Sequence, residues 1–397
     1  MKQGSVISPL LFSILFGAIV EEVEKRTKGL GLKLMFKIGG DIFDISSIKK
    51  KKDKDLTIVE IWNMLLTDDA ELCSDSKENL QSIVNIFNEV VSAFGQEISC
   101  KKTEVMVTDT KNEKKCNASI SVDNYEFNVV TKFRYLGVIE NSESNMKNEL
   151  AQRIFKTRSN FLKYKVAVLN NRDLNYKITL SNYKVLILST LLYACETWVI
   201  SGDEMKTLEI LQKEFLKKIF RVKDYMNKVS YLDLLMLASK YDSEILPIEI
   251  IVRKRRLMFF GKVSSMDENR LCYILMHSDT VDGARPRGPC FGGNYRSTIK
   301  KDLEEFSIHS ECWKDRKIVE EVPWSKLIEK RTDSAFKKWC LHGMSETIYG
   351  TNDITKLGRE IKANTLDELK RKRIFIEVDK NRGRGSKRFH SCTELFD

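Results

Sequence analysis

Apolar residues recur at helical spacing over several long stretches of the chain and alternate over a few short ones. In "MKQGSVISPLLFSILFGAIVEEVEK", Leu11, Ile14, Leu15, Ile19 and Val23 fall three or four apart. That spacing predicts a buried amphipathic helix opened by Ser8 as N-cap, with Pro9 in its first turn. The apolar run from Pro9 to Val20 is too short to span a bilayer, and no small-x-small cleavage site follows it. A core helix therefore explains it better than a secretion signal. "GLKLMFKIGGDIFDI" reads as two short strands turning at Gly39-Gly40. The run "KKKKDKD" is a charged loop. Ser76 then caps a clear helix with Leu80, Ile83, Ile86, Phe87, Val90, Val91 and Phe94 on one side, ended by Gly95. Strand candidates follow at "QEISC", "EVMVT", "ASISV", "EFNVV" and "RYLGVI", which completes an α+β block near residue 142.

Beyond that point the pattern is helical. "NMKNELAQRIFKTRSNFLKYKVAVL", the mostly buried "SNYKVLILSTLLYACETWVI" and "DEMKTLEILQKEFLKKIFRV" each read as one helix. From about residue 246 the chain carries the basic runs "RKRR" (Arg253 to Arg256) and "KRKR" (Lys370 to Arg373), the loop "GARPRGPCFGG" and a basic tail. The expected domains are 1–142, 143–245 and 246–397.

Composition sharpens this picture. The chain has 397 residues, 42% of them hydrophobic, with five prolines and 19 glycines, which suits a helix-rich protein of two or three domains. A net charge of +11 favours polyanionic partners, nucleic acid first among them, although a basic soluble protein of another kind fits the charge equally well. The nine cysteines are scattered and form no Cys-x-x-Cys, so they read as reduced thiols in an intracellular protein rather than a disulfide or zinc framework.

The stretch "WNMLLTDDAELCSDS" sets Asp68 beside Asp69 between two apolar runs. Aspartate is common in turns, so one reading is a plain turn. The other is a metal-binding hairpin, since adjacent carboxylates suit a divalent cation such as magnesium. The flanking segments bear on the choice. In order along the chain, "KQGSVISPLLF", "LLTDDAELCS" with the helix after it, "QEISCKKTEVM" and "FRYLGVI" resemble the reverse transcriptases of non-LTR retrotransposons, which read "RQGCxLSPLLF", "YADD", "LxINxxKTxVM" and "FxYLGS" there. "LLYACETWVI" resembles the same family's "LLYGxETW", and "RKRRLMFFGKVSSM" its "RRLRWLGHVxRM". The likeness extends over roughly residues 1 to 305.

The resemblance implies an incomplete polymerase palm, an antiparallel sheet with two helices, followed by a helical thumb and a basic, mainly helical C-terminal region. It implies RNA-directed DNA synthesis by two-metal nucleotidyl transfer with Mg²⁺ or Mn²⁺, on an RNA template and a DNA primer, in the nucleus or cytoplasm and away from membranes. Asp68 and Asp69 become metal-side catalytic carboxylates, Asp68 the more direct ligand. Lys102 becomes a catalytic cation near the pyrophosphate. Gln3, Gly4 and Ser5 face template and nucleotide. Tyr135, Leu136 and Gly137 support the primer end, while a core role for Tyr135 and Leu136 stays equally open.

The family's palm carries a further aspartate on a strand ahead of the glutamine–glycine segment with which this sequence opens. Asp41, Asp44 and Asp55 lie on the wrong element to replace it. The expectation is a chain inactive by itself, with a sheet edge that calls for a partner chain or leaves it poorly soluble. The alternative is a non-catalytic RNA- or DNA-binding protein that uses the basic thumb and C-terminal region.

Overall fold

The computed structural model describes residues 6–38, 56–67, 69–108, 119–142, 145–222, 229–242, 244–280, 294–308, 324–349, 375–376 and 390–391. They fall into two units, one of residues 1–149 with 267–285 and one of residues 150–266 with 286–397.

The first unit opens with α1 (Ser8–Thr27), in which Pro9 occupies the first turn where its missing N–H costs nothing. Ile7, not Ser8, holds the cap position, and it makes no side-chain capping bond. Only the second half of α1 is covered. Ile19 and Val23 are fully buried, whereas Leu11 is 50% and Ile14 63% exposed. The expected burial along the whole helix thus fails at its start. The reason is packing: α2 (Lys77–Ala93) meets α1 only from Leu15 onward, through Ile83, Phe87, Val90 and Val91. Burying a side chain of this kind contributes about 1.5–3 kcal/mol. Ser76 caps α2 by accepting from Asn79 N at 3.2 Å, and Gly95 ends it at φ +73°, as the pattern predicts. Arg26 on α1 and Glu89 on α2 form a two-pronged ion pair at 3.2 and 2.6 Å.

Strand β1 (Leu32–Ile38) pairs antiparallel with β2 (Leu56–Ile61) and, at its end, with the later strand Ser278–Thr280, here β11. Lys37 lies between Leu56 on one side and Asp279 on the other. β1 thus has a neighbour on either side, and the expected turn at Gly39-Gly40 lies outside the described residues. The second strand expected there, residues 41–45, lies outside the described residues. Glu60 of β2 accepts from the Gly29 and Gly31 amides at 2.7 and 2.9 Å and so closes the α1–β1 turn.

Buried Trp62 interrupts the apolar run after β2, and the chain continues as β3 (Asn63–Leu66) and β4 (Asp69–Leu72). The second face of α2 sends Val84 into a cluster with Val105, Ile120, Val122 and Phe127. Gln81 holds that cluster's strand like a ladder partner, donating to Ser121 O at 2.6 Å and accepting from Ser121 N at 2.9 Å. The single antiparallel sheet implied by the resemblance is not what these residues build. β5 (Glu104–Met106) pairs in parallel with β8 (Asn128–Val130), while β6 (Ser121–Val122) with β7 (Tyr125–Glu126) and β9 (Lys132–Tyr135) with β10 (Val138–Asn141) are separate antiparallel ladders. "QEISC" forms no strand; Ser99 O instead accepts from the Lys102 and Thr103 amides.

The second unit is helical. α3 (Lys147–Tyr164), which starts within the first unit, runs into a wider turn at Lys165–Leu169, and α4 (Tyr176–Tyr183) continues through a similar turn to Leu191. α5 (Gly202–Ile219) and α6 (Tyr231–Tyr241) each open with a capping box, Ser201 with Glu204 and Ser230 with Asp233. α7 (Ile248–Ser264) follows. Next comes α8 (Leu271–His277), part of the first unit, and then α9 (Tyr295–Glu305) and α10 (Trp324–Tyr349). A short ladder pairs β12 (Phe375–Ile376) with β13 (His390–Ser391). Phe161 stacks on Phe215 at 4.4 Å, with Tyr183 edge-on to Phe215, at the centre of this core.

The "RKRR" run is partly internal: Arg256 is buried, Arg253 and Lys254 are half-buried and Arg255 is exposed. Arg253 and Arg256 grip the two oxygens of buried Asp302 at 2.8 and 2.9 Å, and Arg255 donates to Leu192 O at 2.8 Å. These cations hold α7 to α9 and to the end of the α4 segment. None of the described helices is long and apolar enough to cross a membrane.

Candidate functional site

The β3–β4 hairpin closes on the pair Leu66↔Asp69, with Thr67 entering its short turn. Such turns need φ > 0 and usually recruit Gly, Asn or Asp. Thr67 adopts φ +55°, a conformation that a β-branched residue rarely takes, and donates its hydroxyl to Leu66 O at 2.7 Å. Asp68 lies outside the described residues. Asp69 is exposed at the start of β4. Strand alternation puts Asp69, Glu71 and Cys73 on one side and Ala70 and Leu72 on the other, where Leu72 joins the core. Cys73 N donates to Trp62 O at 2.8 Å and extends the hairpin by one rung.

The β9–β10 hairpin closes in the same way on Tyr135↔Val138, with Leu136 at φ +45° and Gly137 at φ +85° in its turn. Glycine takes this region freely, and a bulky leucine does so only under constraint. The two hairpins are joined: Tyr135 donates its phenolic proton to Met64 O, on β3, at 3.1 Å.

Acid side chains crowd this junction. Burial, and then the charge of Glu140, hold the Glu71 carboxyl above its ordinary range; one of its oxygens is buried with no hydrogen-bond partner. Burial also raises Glu140. Burial pushes the Cys73 thiol up to about 11, with Glu71 and Glu140 adding to it. Tyr135 is raised by burial first, then by Glu71, Asp69, Glu140 and Cys73. Glu71, Cys73 and Glu140 were not singled out in the sequence, yet the alternation in "DAELC" carries the signal for the first two. Glu140 enters only through the pairing of β10.

The structure brings together Asp69, Tyr135, Leu136 and Gly137 on two linked hairpins. Lys102 is exposed in the turn before β5, which packs beside β9; among the described contacts, none joins it to Asp69. Gln3, Gly4 and Ser5 lie outside the described residues. Among the described residues, no three Asp, Glu, His or Cys side chains are grouped to hold a metal ion. Asp69 by itself falls short of the six or so oxygens that magnesium takes.

One comparison bears directly on these hairpins. Residues 1–139 match the family model for reverse transcriptase (RNA-dependent DNA polymerase). No curated protein and no solved structure matches the chain. The reverse transcriptase match spans 139 of the 397 residues and ends within β10. It encloses the aspartate hairpin, α2, Lys102 and the Tyr135–Gly137 turn. This part of the chain is therefore reverse-transcriptase-like.

Proposed function

We propose that the chain is a polypeptide of the non-LTR retrotransposon reverse transcriptase kind, which handles an RNA template and a DNA primer and does not polymerise by itself. On this reading residues 1–142 are a partial palm, 143–245 a thumb-like region and 246–397 a basic C-terminal region. The observation that carries it is the reverse transcriptase match over residues 1–139, with the turns of both hairpins inside it and Tyr135 tying one hairpin to the other. Asp68 and Asp69 would supply the carboxylates for a divalent ion, Mg²⁺ or Mn²⁺, whose chemistry is to stabilise charge on the transferring phosphoryl group. Tyr135, Leu136 and Gly137 would position the primer end, and Lys102 would act as a mobile cation.

Silence in catalysis has a physical basis. The hairpin contributes two adjacent carboxylates, and the nearest further acids, Glu71 and Glu140, are half-buried and pushed towards their neutral forms. Two carboxylates by themselves fall short of the six or so oxygen ligands that such a cation takes. Primer extension on an RNA template with Mg²⁺ or Mn²⁺ tests this reading. No extension is expected from the chain alone, together with retained binding of the template–primer. Extension that Asp68→Ala abolishes would overturn the silence and establish a polymerase; failure to bind nucleic acid would overturn the whole reading.

A further inference from the structure

α5 packs with Leu208, Leu211, Gln212, Phe215, Leu216 and Ile219 inward. The opposite face, at spacings of four, three and four, consists of Lys206, Ile210, Lys213 and Lys217. Ile210 is 65% exposed between the lysines. The helix carries acids as well, and two of them are held by other partners. Glu204 closes the capping box on Ser201, and Glu214 pairs with Arg158 at 3.1 Å and Lys218 at 2.7 Å. Glu209 turns toward the core, where burial first and Glu249 second push its carboxyl up to about 7. Asp203 stays in the first turn of α5. Among the described residues none of Lys206, Lys213 and Lys217 takes part in an ion pair.

The stripe is electrostatically frustrated. Lys213 is partly buried, and its ammonium is held below its usual range by burial first and by Lys217 second; Asp233, fixed by its own capping box, opposes this only in part. Lys213 and Lys217 are like charges at i and i+4, which repel. An anion that bridges them removes that cost.

We infer that the Lys206–Lys213–Lys217 face of α5 is a docking track for the phosphodiester backbone of nucleic acid. The inference rests on the reading of the chain as a template- and primer-handling protein. Three cations strung over about 16 Å of helix suit a linear polyanion better than a single phosphate. No aromatic side chain stands among the lysines to stack a base, and Ile210 offers only an apolar contact. Binding here is therefore indifferent to sequence and steep in salt. The "RKRR" run, the more conspicuous basic sequence, is not part of the track because its arginines are already bonded to Asp302 and to the Leu192 carbonyl.

The test uses the full chain and a labelled RNA–DNA template–primer, with affinity measured by fluorescence anisotropy over a range of NaCl concentrations. The triple variant Lys206→Gln, Lys213→Gln, Lys217→Gln should bind at least about tenfold more weakly at low salt, with the log–log salt slope shallower by about 2–3. The triple Lys→Arg variant should restore both. A charge-matched control, Lys177→Gln, Lys300→Gln, Lys301→Gln, should leave the slope near that of the unmodified chain. Ile210→Lys adds a cation to the same face without touching the others, and should steepen the slope by about one; it covers the case of a triple variant that does not fold. Binding by the unmodified chain with a slope that neither the Gln triple nor Ile210→Lys alters would overturn the track and spare the parent reading. No binding by the unmodified chain would overturn both.

Discussion

Tyr135 donates its hydroxyl to the Met64 carbonyl across 3.1 Å, so that the strand before one strained turn is tied to the strand before the other. A hydrogen bond of this sort contributes about 0.5–1.5 kcal/mol. Tyr135→Phe keeps the ring contact with Phe133, whose centroid is 6.3 Å away, and loses only the hydroxyl. Urea unfolding should show a loss of about 1 kcal/mol, and the β3–β4 amides should exchange faster with solvent. Unchanged exchange on that hairpin would mean that the two turns are held independently.

Ala194 sits at φ +58°, at the position where the resembling family has glycine in "LLYGxETW". An L-residue pays about 1–2 kcal/mol in this left-handed region, and glycine avoids that cost while losing more chain entropy on folding. Ala194→Gly should therefore raise stability by about 0.5–1 kcal/mol, and Ala194→Val should lower it. Equilibrium denaturation of the two variants side by side decides the matter; a destabilising Gly would show that the conformation is not strained.

Gly261 lies directly beneath Trp324. A Cβ built on it would stand 1.9 Å from Trp324 Cδ1, while the indole N–H donates to Leu257 O at 2.7 Å. Gly261→Ala would gain helix propensity but must displace the ring. Overpacking of this kind costs about 1–3 kcal/mol, which exceeds the propensity gain of about 1 kcal/mol. A lower Tm and a red-shifted tryptophan emission are expected; an unchanged spectrum with a higher Tm would refute the contact.

Glu209 has a buried oxygen with no hydrogen-bond partner, and its carboxyl is pushed from 4.5 up to about 7 by burial, then by Glu249, with Lys206 opposing. A carboxyl raised in the folded state binds its proton more tightly there than in the unfolded chain. Stability that is present below pH 4.5 is thus lost as pH rises toward about 7. Glu209→Gln should flatten that part of the stability–pH profile and raise Tm more at pH 8 than at pH 4. Parallel profiles for the two proteins would exclude Glu209 as the titrating group.

Asp302 is 1% exposed and accepts from both Arg253 and Arg256. Removing one partner of a buried pair leaves the other charge uncompensated and costs about 3–5 kcal/mol. Asp302→Ala should therefore unfold the helical unit at markedly lower urea. A mild effect would mean that Arg253 and Arg256 reach water.

Local physics made part of this protein legible in advance. The α2 helix, its Ser76 cap and its Gly95 stop follow from spacing and backbone preference, which act within a few residues. The β3–β4 hairpin follows from two apolar runs too close together for any other connection. Other features depend on which surfaces meet. The start of α1 has the same apolar spacing as its end, yet none of the described residues covers it, because α2 reaches only from Leu15 onward. The pairing of β1 with both β2 and the distant β11 is likewise set by tertiary contact, since nothing local marks Ser278–Thr280 as its neighbour.

Charge divides in the same way. The sequence by itself determined that the chain is basic and that four cations stand together at Arg253 to Arg256. Packing in three dimensions sets Arg253 and Arg256 on buried Asp302 and ties Arg255 to the Leu192 carbonyl, while the scattered Lys206, Lys213 and Lys217 share one face of α5. A linear pattern records which charges are adjacent in the chain. Their surroundings, which set their energy, are decided by the packing of helices far apart in sequence.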